Sequence, residues 1–142
     1  MKSVYLLLLL CGLSTFGQGT TNAPNHYAML KQATVFSISG GITGAITPAG
    51  NSLRAIAKQK DAAIVFTKLT HEDSPTAKLY GLLGLQMISS DQFKNELSKL
   101  LTNKSSVRVL EGCIMGTKDV AVVAKEIEQG RWSFGLSVKE TK

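Results

Sequence analysis

One stretch near the middle of the chain constrains everything around it: Ser74-Pro75-Thr76-Ala77-Lys78-Leu79-Tyr80-Gly81-Leu82-Leu83-Gly84-Leu85-Gln86-Met87-Ile88. Ser74 is suited to cap a helix, and Pro75 to its first position, where a missing N–H costs nothing. Apolar residues at 79, 82, 83, 85, 87 and 88 then coat most sides of the helix. A helix of that kind needs neighbours packed around it and belongs at the centre of a fold. Gly81 and Gly84 lie three residues apart on one face, and each costs about 1 kcal/mol against Ala in a helix interior. Their spacing predicts the close approach of a neighbouring helix or loop.

The cap-plus-proline device recurs at Thr47-Pro48. It predicts a helix to about Lys58, with Leu53, Ile56 and Ala57 on one face. A second helix is expected over 60–70, where Ala62, Val65, Phe66 and Leu69 repeat at i, i+3, i+4, i+7. Ser89 with Gln92 fits a capping box opening a helix over 90–102, whose apolar face is Phe93, Leu97, Leu100 and Leu101. Val120, Val123, Ala124 and Ile127 mark a last helix ending at Gly130. Short polar links make sequential helices antiparallel neighbours. The expected fold is therefore mainly α: stacked antiparallel helical hairpins, 47–58 with 60–70 and 75–88 with 90–102, in a single domain over 34–139. Short extended segments are expected at 34–39 and at 131–139, where Trp132, Phe134, Leu136 and Val138 alternate with smaller or polar residues. Residues 107–115 fit strand or helix, and Gly116-Thr117-Lys118-Asp119 reads as a turn and cap.

The first residues read as a secretory signal peptide over 1–17. Lys2 supplies the positive start and Val4–Leu13 the apolar run, at a signal's length and too short to span a membrane. Thr15-Phe16-Gly17 suits cleavage before Gln18, with a cut after Gly19 as the next choice. Cys11 does not read as a lipid-modified cysteine, because Leu10 precedes it and the apolar run continues. Residues 18–33 are polar, lack periodicity and read as a flexible lead-in. The remaining chain is long enough for one core and carries no later membrane span, so the expected location is exported, periplasmic or extracellular.

Loss of the leader leaves Cys113 as the sole cysteine, so no disulfide framework is expected. Set among Val109, Leu110, Ile114 and Met115, it reads as a small buried hydrophobe. The whole chain carries a net charge of +6, with its cations scattered. No basic stripe interleaved with aromatics points to nucleic acid, and the charge implies at most weak attraction to acidic envelope surfaces.

Candidate chemistry is sparse. Gly40-Gly41-Ile42-Thr43-Gly44 matches neither phosphate-binding glycine pattern and reads as a tight turn. His26 falls in the lead-in, and His71 adjoins Glu72 and Asp73 on a turn. The second histidine of H-E-x-x-H is absent, since Pro75 stands in its place. Without cysteine pairs, no metal or cofactor is expected. Tyr80 reads as a packing residue whose hydroxyl reaches a partner.

Leu53-Arg54-Ala55-Ile56, the Leu79-Tyr80-Gly81-Leu82-Leu83-Gly84-Leu85 run and Glu111-Gly112-Cys113-Ile114 together resemble a group of uncharacterised exported bacterial proteins similar to HEAT-repeat helical hairpins. The likeness covers about residues 35–130. It implies fold class and location, and no catalytic residue comes with it.

The leading expectation is a non-enzymatic protein-interaction or scaffold module holding an unknown protein partner, with Tyr80, Trp132 and Phe134 as candidate interaction surface. One alternative is a small-ligand binder or enzyme using the Gly40–Gly44 turn with His71 or Cys113. Another is an inhibitor or immunity-like protein.

Overall fold

A computed structural model describes residues 25–132. The expected signal peptide, the segment 133–139 and Phe134 lie outside the described residues. In chain order the elements are α1 (His26–Gln32), β1 (Val35–Phe36), β2 (Ser39–Gly40), β3 (Ala45–Ile46), α2 (Pro48–Ala57), α3 (Ala62–Thr70), α4 (Pro75–Met87), α5 (Gln92–Leu100), β4 (Ser106–Glu111), β5 (Ile114–Asp119) and α6 (Val120–Glu128).

The apolar rod is central, as its composition requires. Helix α4 buries every residue from Leu79 to Leu85 and packs against the other five helices, β1 and β4. Ser74 caps it, accepting from the Ala77 N–H at 3.4 Å, and Pro75 takes the first turn. The glycine pair does what its spacing predicted. A Cβ on Gly81 would lie 2.6 Å from both the Phe66 carbonyl oxygen and the Thr70 nitrogen, closer than any real Cβ sits. A Cβ on Gly84 would lie 2.2 to 2.4 Å from three atoms of the Phe66 ring. Both glycines thus admit α3 to the surface of α4. Thr47 caps α2 by accepting from Gly50 N–H at 3.1 Å, again as expected.

The fold class differs from the expectation. The molecule is a mixed α/β fold, not a stack of helical hairpins. Strands β1, β4 and β5 form a three-stranded sheet in that order, β1 parallel and β5 antiparallel to β4; β2 and β3 form a second, two-stranded sheet. The cause lies in 106–119. Val107 and Val109 are buried while Ser106 and Arg108 are exposed, a period of two that a helix cannot present to one face. Gly112 and Cys113 are the two loop residues between the paired Glu111 and Ile114. Gly112 has φ +61 and Cys113 does not enter the left-handed region, as in a type II′ turn. Residues 116–119 are therefore strand rather than turn, and α4 spends one of its faces on the sheet, where a helical repeat would place another helix.

Two smaller expectations also change. Residues 26–32, inside the expected lead-in, form α1, which Asn25 caps and which buries Leu30. Tyr27 hydrogen-bonds Glu72, and Lys31 pairs with the same carboxylate at 3.0 Å, tying α1 to the loop after α3. The capping box at Ser89–Gln92 does not form. Ser89 sits at φ +51, and the Ser90 hydroxyl instead accepts from Gln92 N–H at 3.2 Å.

Candidate interaction surface

Two of the three residues expected to form an interaction surface are in the core. Tyr80 is 0 % exposed and Trp132 is 7 % exposed. The Phe36 ring lies between them, its centroid 4.8 Å from each. The register explains why an aromatic with a hydroxyl is needed there. Val35 and Phe36 pair with Arg108 and Val109, whereas Gly40 of β2 bridges to Gly112, so the link from β1 to β2 carries one residue more than the facing run of β4, a bulge. The bulge frees backbone groups that would otherwise be orphaned. Tyr80 takes them: its oxygen accepts from Ser37 N–H at 2.9 Å and its hydrogen faces the carbonyls of Val35 and Ser37 at 3.0 and 3.1 Å. Burial pushes its phenol up to about 12, so it stays a donor. Trp132 is held by its Nε1–H, which donates to Glu126 at 3.1 Å. That carboxylate also receives Lys118 at 2.8 Å and Arg131 at 3.3 Å.

What the molecule does present to solvent is a knob made of two turns. Gly41 and Gly44, at φ +75 and +62, close the β2–β3 turn, and Gly41 N–H donates to the Gly112 carbonyl at 3.1 Å. That bond joins the turn to the β4–β5 loop. Gly40 has no side chain where Leu110 would crowd it, a Cβ there meeting Leu110 Cδ2 at 3.2 Å. Ile42 is 98 % exposed on one turn, and Ile114 and Met115, the first two residues of β5 after the other, are 75 % and 48 % exposed. Leaving such side chains in water forgoes about 1.5–3 kcal/mol each relative to full burial. Cys113 is exposed at the same tip, correcting the expectation of a buried thiol. It sits among apolar neighbours in the sequence, but only Val109 of these is buried, while Ile114 and Met115 are themselves exposed.

The residues of the small-ligand alternative are only partly assembled. The Gly40–Gly44 turn and Cys113 adjoin through the Gly41–Gly112 bond. His71 instead closes α3 and pairs with Glu96 of α5 at 3.3 Å. Buried Glu96 also accepts from Thr70 at 2.9 Å and Lys99 at 2.7 Å. Burial opposes its ionisation, but the Lys99 and Thr70 bonds outweigh that and hold the carboxyl below the usual range. His26 faces Ser52 at 3.1 Å. Among the described residues no three His, Cys, Asp or Glu side chains gather as a metal site would require. A cleft of about 360 Å³ opens beside the knob, lined by Ile38, Ser39, Glu111, Gly112, Arg131 and Trp132. Among the described residues no helix is long and apolar enough to cross a membrane.

Sequence reasoning missed the hairpin because Val107–Glu111 alternates only loosely and Ile-Met-Gly-Thr-Lys over 114–118 does not alternate, which leaves the two-residue Gly112-Cys113 loop as its signal. No family model matches this chain, and no curated protein or solved structure matches it.

Proposed function

We propose that this chain is an exported, non-enzymatic protein-interaction module whose contact surface is the knob of Ile42, Ile114 and Met115. The observation that supports this reading is the tip itself: exposed apolar side chains on the β2–β3 turn and at the start of β5, beside two loops that a backbone hydrogen bond holds together. Apolar groups clustered on a braced projection suit the centre of a binding patch, where they enter a partner's pocket and exclude water. The signal-like start of the sequence supports export.

A photo-crosslinking amino acid at position 42 tests the reading in the native cell envelope. It should yield one discrete protein adduct, and that adduct should be lost when Ile114→Ser is added. A smear of unrelated products, or an adduct indifferent to Ile114→Ser, would contradict it.

A further inference from the structure

We infer that the edge of β5 that no other described strand pairs joins the same edge of a second copy of this chain, in antiparallel register about Gly116. The inference rests on the reading of the molecule as an interaction module, and it names a partner. The two-residue loop makes Glu111 and Ile114 a hydrogen-bonded pair, so Val109 with Gly116 and Val107 with Lys118 are bonded pairs as well. The residues between them, Met115 and Thr117, turn their N–H and C=O groups away from β4. These backbone groups sit at the strand spacing, and their natural complement is another extended chain.

Edges of this kind are normally guarded by a proline, a bulge or a free lysine. Strand β5 has no proline, and its pairing with β4 is continuous from Ser106–Asp119 to Glu111–Ile114. Its one guard is at its end, where Lys118 points inward onto Glu111 and Glu126, both at 2.8 Å, leaving the backbone of Met115 and Thr117 open.

The second copy is favoured by charge and by register. Strands β4 and β5 carry two cations, Arg108 and Lys118, and two anions, Glu111 and Asp119, so the hairpin is neutral in a chain of net charge +6. Two hairpins meet there without the repulsion that opposes contact elsewhere. A twofold axis at Gly116 sets Met115 against Thr117 of the second copy, and Thr117 against its Met115. All four outward groups on each strand are then paired. Ile114 lies against the Lys118 stem and Cys113 against Asp119, so no like charges face each other. Ile114 and Met115 become partly covered, and the sheets join into one of six strands.

Thr117→Pro isolates the edge, because it removes an outward N–H and leaves every β4–β5 bond in place. Light scattering of the purified protein over a wide concentration range should show mass rising about twofold for the wild type and staying monomeric for Thr117→Pro. Amide exchange in the wild type gives an independent readout. Met115 and Thr117 should become protected as concentration rises, while Gly116 and Lys118 are protected throughout. A wild type that stays monomeric at every concentration would overturn the inference, as would a Thr117→Pro variant that still dimerises. Protection of Met115 and Thr117 in dilute monomer would do so too, since another part of the same chain would then cover the edge. A monomeric wild type that still crosslinks discretely through Ile42 would sink this inference alone and leave the broader reading standing.

Discussion

The seam between α3 and α4 and the knob at the far end of the sheet both depend on glycine, and they use it in opposite ways. In the seam, Gly81 and Gly84 are ordinary helical residues whose missing side chains make room for Phe66 and Thr70. In the knob, Gly41, Gly44 and Gly112 adopt positive φ and turn the chain, with nothing within 4 Å of a Cβ at any of them. One set is demanded by packing and the other by backbone conformation. The seam is fully buried, whereas the knob carries Ile42, Ile114 and Met115 among the exposed large apolar side chains of the described residues.

The largest effect should come from filling the seam. Gly84→Ala drives a methyl into the Phe66 ring and should cost about 3 kcal/mol, with Gly81→Ala about 2 kcal/mol, read by chemical denaturation. A loss below about 0.5 kcal/mol for both would erase the distinction between the two regions. Next comes the joint between them. Tyr80→Phe leaves the Ser37 N–H without its acceptor in a buried bulge and should cost about 2 kcal/mol. If the variant is as stable as the wild type, the hydroxyl does not brace the strand.

Titration should separate the regions by sign. Glu96, beside the seam, has a folded pKa held below its unfolded value. Its contribution is present above the unfolded carboxyl pKa and is lost as pH falls through the folded one. Lys118, beneath the knob, is raised: burial works against its charge, but Glu111 and Glu126 outweigh it. Its contribution is full below the unfolded lysine pKa and is lost as pH rises through the folded one. Glu96→Gln should therefore flatten the acid limb of stability against pH, and Lys118→Met the alkaline limb. A crossed result would contradict the assignment. The smallest effect belongs to the tip, where Ile42→Ser should change stability by no more than about 0.5 kcal/mol.

The same contrast explains what could be read from the sequence. Thr47-Pro48, Ser74-Pro75 and the i, i+3, i+4 faces located α2, α3 and α4 to within two residues, because capping and helical burial are local in sequence. The seam followed from Gly81 and Gly84, since glycine in an apolar helix interior needs a reason. The hairpin was obscured because hydrophobicity and burial part company there. Leu110, Ile114 and Met115 look like core and lie at or near the surface, while Lys118 looks exposed and is drawn beneath. Tyr80 and Trp132 suggested a surface through their amphipathic rings. Their polar atoms are instead satisfied inside, by a strand bulge and a buried carboxylate that only the tertiary structure supplies.

The Cys113 thiol at the tip reports whether the knob stands free. The thiol should react with a maleimide in dilute, fully native protein at about the rate of an unhindered cysteine, with the melting temperature unchanged by the label. Labelling that waits for unfolding would place the tip inside the molecule and contradict the account.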